Sequence, residues 1–283
     1  MKIFSRTFYF TVIPLLLLIF LLSLKFEKNK EEKVVGTSPI TIEVVEGSPS
    51  TIESDRTQPV VEQTVENSTA IENPSKESPP KNSKSVQLDV PFFKQEYIRS
   101  CEEASLRMVL AFYGIETNDR EIVERVGYEP RSWDKENNIW DDPNIMFVGY
   151  IDDPNKNGYG AFAPAIAAAA KTFGRDSESY TDVSAQFLAE HIYAGHPVIV
   201  WGFNLKSLVV KYFWNTDEGK EIVAYRGEHT RVVVGVFGDP SKPVGFLLHD
   251  PLSGEKNEYW SSERLMTHMN TLGNLTNQAV VVQ

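Results

Sequence analysis

The order of hydrophobic patterns along residues 86–283 predicts an α+β domain, because helix-period segments come first and strand-like runs follow. After an extended VQLDVPFF segment, the first helix is expected from Cys101 to Tyr113, where Gly114 stops it. Leu106, Val109, Leu110 and Tyr113 recur at i, i+3, i+4 and i+7 and give it one face to bury. A second helix is expected over Ala163–Phe173, with Pro164 in its first turn and Gly174 at its end. A third runs over Ala185–Ala194 and stops at Gly195. The period then changes. Apolar, β-branched runs at Val198–Phe203, Ile222–Tyr225, Thr230–Phe237, Val244–Leu248 and Ala279–Val282 read as strands, interrupted by a short helical stretch after Ser261. There is no internal repeat.

Residues 1–85 read differently. Between Lys2 and Arg6 on one side and Lys25, Lys28 and Lys30 on the other, Phe8–Leu24 is uncharged and of the length of a short membrane span, about 17 residues. The following LSLKFEKNK lacks the pair of small residues that signal cleavage needs. Residues 1–32 are therefore expected to be an uncleaved membrane anchor with the domain outside the cytoplasm; the alternative is secretion after cleavage. Residues 33–85, rich in Ser, Thr, Pro and Glu without apolar period, are expected to be a disordered linker. Two N-x-T triplets, at Asn67 and Asn274, are weak glycosylation signals.

The 283 residues carry 28 basic and 39 acidic side chains, a net charge of −11 that lies mainly in residues 86–283. No positive field draws such a chain to phosphates, so nucleic acid is not an expected partner. The lone cysteine, Cys101, excludes an intrachain disulfide and any Cys-rich metal site.

The flanks of Cys101 suggest why a thiol stands there. Ser100 and Glu103 fit the S-x-x-E capping box, which makes Ser100 the N-cap and Cys101 the first helical residue. The positive end of the helix dipole lowers a thiol's pKa, while Glu102 and Glu103 oppose that effect. A thiolate there needs a cationic partner, and histidine is the usual one. Of the five histidines, His191 and His268 fall in helical stretches, and His196 sits in a turn before Pro197. His229 opens the apolar strand HTRVVVGVF, a rigid platform for an aimed side chain. Asp250 follows the next apolar strand, and adjacent strand ends would set it beside His229 to orient the imidazole. His249 is a second-choice base on the opposite strand face. Gln95 could donate to an oxyanion together with the Cys101 amide, although taken alone it reads as a surface glutamine.

The segments LDVPFFKQEYIRSCEEASLRMVLAFYG, IWDDPNIMFVGYI, GYGAFAPAIAAAAKTFG, GHPVIVWG, GEHTRVVVGV and LLHDPLSG resemble, in order, the motifs of the bacterial C39-like peptidase domain, within the papain-like cysteine peptidase superfamily. The resemblance implies a papain-like fold, with a helical half carrying the cysteine and an antiparallel β half carrying histidine and aspartate. It implies Cys101 as nucleophile, His229 as base, Asp250 as the orienting residue and Gln95 in the oxyanion hole, without metal or organic cofactor. The expected substrate is a peptide or protein, with cell-wall peptide as a second class. Acyl transfer on the same triad and a non-catalytic peptide-binding module are the alternatives. Members related to bacteriocin-processing peptidases are fused to a transporter; none follows here, so leader processing is not carried over.

Arg231 departs from the expected pattern. In a regular strand it shares a face with His229 where an apolar residue is expected, so it is expected either to pair with Glu102 or Glu103 or to be turned outward by a bulge. Asp153, Asn155, Asn157 and Gly158 match half of a calcium loop but read better as an Asx-rich turn. Trp133, Trp140 and Phe147 fit either a substrate cleft or core packing.

Overall fold

A computed structural model describes residues 77–81, 83–204, 210–271, 273 and 276–283. The apolar run Phe8–Leu24, most of the linker segment and both N-x-T asparagines lie outside the described residues. Among the described residues no helix is long and apolar enough to cross a membrane.

The chain runs through β1 (Ser85–Gln87), α1 (Cys101–Phe112), α2 (Asp119–Val126), β2 (Val148–Gly149), β3 (Gly158–Gly160), α3 (Ala163–Thr172), β4 (Ser177–Thr181) and α4 (Ala185–Tyr193). It continues through β5 (Val198–Phe203), β6 (Val210–Asn215), β7 (Glu221–Arg226), β8 (Glu228–Asp239), β9 (Lys242–His249), β10 (Glu258–Ser261), α5 (Ser262–Asn270) and β11 (Gln278–Val282). The fold is α+β. One seven-stranded antiparallel sheet has the order β10-β9-β8-β5-β11-β4, with β1 pairing β8 beyond the end of β5. β2–β3 and β6–β7 form two separate ribbons. Ordered contacts begin before Val86, since Glu77 accepts hydrogen bonds from the Ser261 amide and hydroxyl.

The sheet is buried on both faces, and the two-residue period of its strands divides the core. Ile199, Trp201, Val232, Val280 and Val282 pack with Leu106, Val109, Leu110 and Ile166 of α1 and α3. Val198, Val200, Val233, Ala279 and Val281 face Leu188, Ile192, Leu265 and Met269 of α4 and α5. A register shift in β8–β9 leaves Val234 as an extra residue between the Val233–Leu248 and Gly235–Leu247 pairs. The bulge moves Val236 to the face opposite Val234. It lies beyond Arg231, which stays inward and only 4% exposed. Of the two outcomes expected for Arg231, a turn to solvent is thus ruled out.

The capping box does not form. Ser100 is the N-cap of α1, but its side chain caps nothing. Its hydroxyl donates to Asp119 Oδ2 at 2.7 Å and accepts the Tyr97 amide at 3.1 Å. The hydroxyl's acceptor role is taken by Tyr97 and its proton by Asp119 of α2, which ties the N-termini of α1 and α2 together. Ser184 and Ser261 do cap α4 and α5, accepting from the Phe187 and Arg264 amides.

A third cluster joins Trp140, Phe162, Trp214, Ile222 and Ala224. Trp133 stacks on Trp140 at 5.8 Å, and Phe147 is buried with α1 in the main core, so these aromatics pack the interior. The Asx-rich loop is a turn: Asp153 Oδ1 accepts the Asn155 amide at 2.9 Å.

Candidate active site

Cys101 begins α1 and is 9% exposed. Its thiol donates to Glu102 Oε2 at 3.0 Å. The other oxygen of Glu102 accepts the Ala161 amide at 3.0 Å. Gly160 makes that contact possible: a Cβ there would lie 2.2 Å from Glu102 Oε1. The Cys101 thiol is pushed well above its ordinary range by burial first, then by the charges of Glu102 and Glu228, against a backbone hydrogen bond from Thr230. Burial, more than the acidic neighbours, keeps the resting sulfur a thiol; of the two expected to oppose the thiolate, Glu102 does so, joined by Glu228 in place of Glu103.

Glu103 is fully buried, and neither of its carboxyl oxygens has a hydrogen-bond partner among the described residues. Burial, and then the charge of Glu102, holds its carboxyl well above the usual range. An unfolded chain releases that proton near pH 4.3, roughly, whereas the folded chain retains it. Stability from this group is thus complete below that pH and is lost as pH rises through the folded value. Glu103→Gln is expected to gain about 1–2 kcal/mol near pH 8 and nothing near pH 4, measured by urea unfolding at the two pH values.

His229 is the second residue of β8 and lies opposite Gly202 in the β5–β8 register. Its Nε2 lies 2.9 Å from Asp250 Oδ1. Asp250 follows β9 directly, and the same Oδ1 accepts the Leu252 and Ser253 amides at 2.9 and 3.0 Å. Arg231 Nε donates to Asp250 Oδ2 at 2.9 Å, so Arg231 pairs with Asp250 and not with Glu102 or Glu103 as expected. Burial by itself would raise the Asp250 carboxyl, but the His229 hydrogen bond and the Arg231 charge hold it well below the carboxylate range. His229 is lowered by burial and then by Arg231, with Asp250 opposing. The imidazole is therefore neutral near pH 7, with Nε2–H donated to Asp250 and, among the described residues, no partner on the Nδ1 lone pair.

The remaining sequence candidates are engaged elsewhere. Among the described residues no hydrogen bond joins Cys101 to His229; the residue after His229, Thr230, has its amide on the sulfur and its hydroxyl against Ser105 of α1 at 3.1 Å. Gln95 Nε2 donates to Tyr97 O at 2.8 Å, which leaves one amide N–H for another acceptor. Both ring nitrogens of His249 are committed, to Val90 O and the Asn257 amide, so it is not a free base. His196 Nδ1 meets the Tyr113 hydroxyl, and His191 packs on Phe187. His268, set aside in the sequence as a histidine of a helical stretch, is buried and accepts the Phe203 amide at 3.1 Å. Its place near Arg231 has no signature in the chain, because α5 and β8 are far apart in sequence. No group of side chains suited to a metal ion occurs among the described residues.

Comparison with known proteins places this geometry. Residues 87–280 match the family model described as "Peptidase_C39 like family". A crystal structure described as a C39-like peptidase from Bacillus anthracis superposes with a TM-score of 0.59 at 23% identity, over 71% of this chain and 98% of that one. The peptidase domain of Streptococcus ComA aligns with a TM-score of 0.40 at 19% identity, over 68% of this chain and 97% of that one. No curated protein matches.

Proposed function

Since this chain belongs to the C39-like peptidase family and is a cysteine-type peptidase of papain-like fold, we propose that Cys101, His229 and Asp250 form its catalytic triad, with Gln95 and the Cys101 amide as oxyanion donors. The observation that carries this reading is the 2.9 Å His229 Nε2–Asp250 Oδ1 contact, which fixes the tautomer and leaves Nδ1 as base. In the reaction the thiol turns from Glu102 and passes its proton to His229 Nδ1 as sulfur bonds to the substrate carbonyl carbon. The carbonyl oxygen takes the negative charge and is met by the two oxyanion donors. His229 then protonates the leaving amine, and the C–N bond breaks to give a thioester. Water loses a proton to Nδ1, attacks the thioester and releases the acid with the Cys101 thiol restored.

The substrate is a peptide or isopeptide bond, in a protein or in cell-wall peptide. The apolar run Phe8–Leu24 with its basic flanks supports attachment to a membrane, with residues 33–85 as tether and residues 86–283 as a peptidase domain acting outside the cytoplasm. The full chain incubated with a peptide library and muropeptides tests the chemistry. New amino termini are expected with wild type and none with Cys101→Ala; equal cleavage by both would remove Cys101 from the mechanism.

A further inference from the structure

We infer that Arg231 is a positioning residue of the peptidase site, clamping the second oxygen of Asp250 so that the first stays aimed at His229; this rests on the triad reading above. The guanidinium is buried on the same face of β8 as His229, and one of its contacts is to the carboxylate that holds the base. Nε donates to Asp250 Oδ2 at 2.9 Å. Nη1 donates to Phe203 O at 3.3 Å and to His268 Nε2 at 3.0 Å. The plane lies against the Trp260 ring, 4.9 Å from its centroid.

His268 is built to receive that donor. Its Nε2 accepts from both the Phe203 amide and Arg231, so the ring is neutral and carries its proton on Nδ1. It stacks on Phe203 at 4.0 Å and meets Trp260 edge-on. Gly202, the residue opposite His229, admits it: a Cβ there would come within 2.4 Å of His268 Cδ2. A rigid acceptor thus fixes the far end of Arg231, and Arg231 fixes Asp250.

Three consequences follow from the chemistry. Asp250 has three donors on Oδ1 but Arg231 alone on Oδ2, so without the guanidinium the carboxylate can rotate about its bond to the chain. The cation also offsets the carboxylate, which keeps His229 neutral and able to take the thiol proton. Finally, the Arg231 cation and the Cys101 thiolate, once formed, attract each other. Among the described residues, the charges that act on His229 are those of Arg231 and Asp250, and His229 in turn acts on His268; Cys101 is the titratable group it serves in the proposed reaction.

Charge and geometry can be separated in the full chain with iodoacetamide as probe, following the rate of Cys101 alkylation against pH. In Arg231→Met, loss of the cation disfavours the thiolate and favours the imidazolium. The whole profile is expected to move to higher pH, and kcat on a peptide that wild type cleaves is expected to fall by roughly tenfold or more. In Arg231→Lys the charge returns but the fork does not. Its alkylation profile should stay near the wild-type pH while kcat remains low. Wild-type profile and kcat in a folded Arg231→Met would overturn the inference. If that variant does not fold, Arg231→Lys decides, and a wild-type kcat there overturns it equally. His229→Ala serves as the control. If it leaves the wild-type profile unchanged, the triad reading falls and the Arg231 inference with it; if it alters the profile while both Arg231 variants do not, only the Arg231 inference falls.

Discussion

His229→Ala is expected to lower kcat/KM on any cleaved peptide by at least about a thousandfold while the domain stays folded. Burial and the Glu102 and Glu228 charges keep the Cys101 sulfur protonated, so no appreciable thiolate exists without a group to take the proton. His229 has that capacity, since its Nε2 is held by Asp250 and, among the described residues, its Nδ1 has no partner. The chemistry also has a pH sign. Burial and Arg231 lower the imidazole, so the base is in its working form near neutrality and is lost as pH falls through that lowered value. Steady-state kinetics across pH measures both features. Activity retained in His229→Ala would transfer the role of base to Glu102, the group that accepts the thiol hydrogen bond.

The second large effect is on stability. Asp250→Ala is expected to destabilise the folded chain by about 3–5 kcal/mol, because it strands the buried Arg231 cation without its counterion. It also frees the Leu252 and Ser253 amides, which Asp250 holds in the turn after β9. Asp250→Asn keeps oxygen and shape, and should cost less. The same ion pair predicts the acid limb of stability. A carboxyl lowered in the folded state stabilises above its unfolded value of about 3.9, and that contribution is lost as pH falls through the folded value. Urea unfolding of the two variants at pH 7 checks the order; equal stability of Asp250→Ala and wild type would contradict the buried charge pair.

Much of this architecture is legible in local patterns. The run Val198–Phe203 is β5 to the residue, the period of Leu106, Val109 and Leu110 marks the buried face of α1, and Pro164 lies in the first turn of α3. These segments declare themselves because packing and propensity agree. Short elements do not: β4 and β6 carry little apolar period, while α2, amphipathic through Ile122, Val123 and Val126 and capped by Asn118, is only eight residues long. The site divides in the same way. His229 and Asp250 could be matched because each stands at the end of an apolar strand, and neighbouring strands meet. The partner of Arg231 could not, since choosing Asp250 over Glu102 depends on which face of β8 points at α1. The capping box failed for a related reason: the Ser100 hydroxyl accepts the Tyr97 amide instead of a helix amide and turns its proton to Asp119, nineteen residues away.

The strand order sets when the enzyme can first act. β11 lies between β5 and β4, pairing Ala279–Val281 with Val198–Val200 and Gln278–Val282 with Ser177–Thr181. Until residues 278–282 have left the ribosome, β4 and β5 have facing edges with nothing between them, and the interior of the sheet is open. Gln278 also takes the Ala163 amide at the start of α3, which packs behind α1. A growing chain thus carries its cysteine long before it owns the surface that holds His229 and Asp250. β11, made after the segments that carry Cys101, His229 and Asp250, is the strand that joins the two edges, so the sheet behind the proposed site closes when β11 docks.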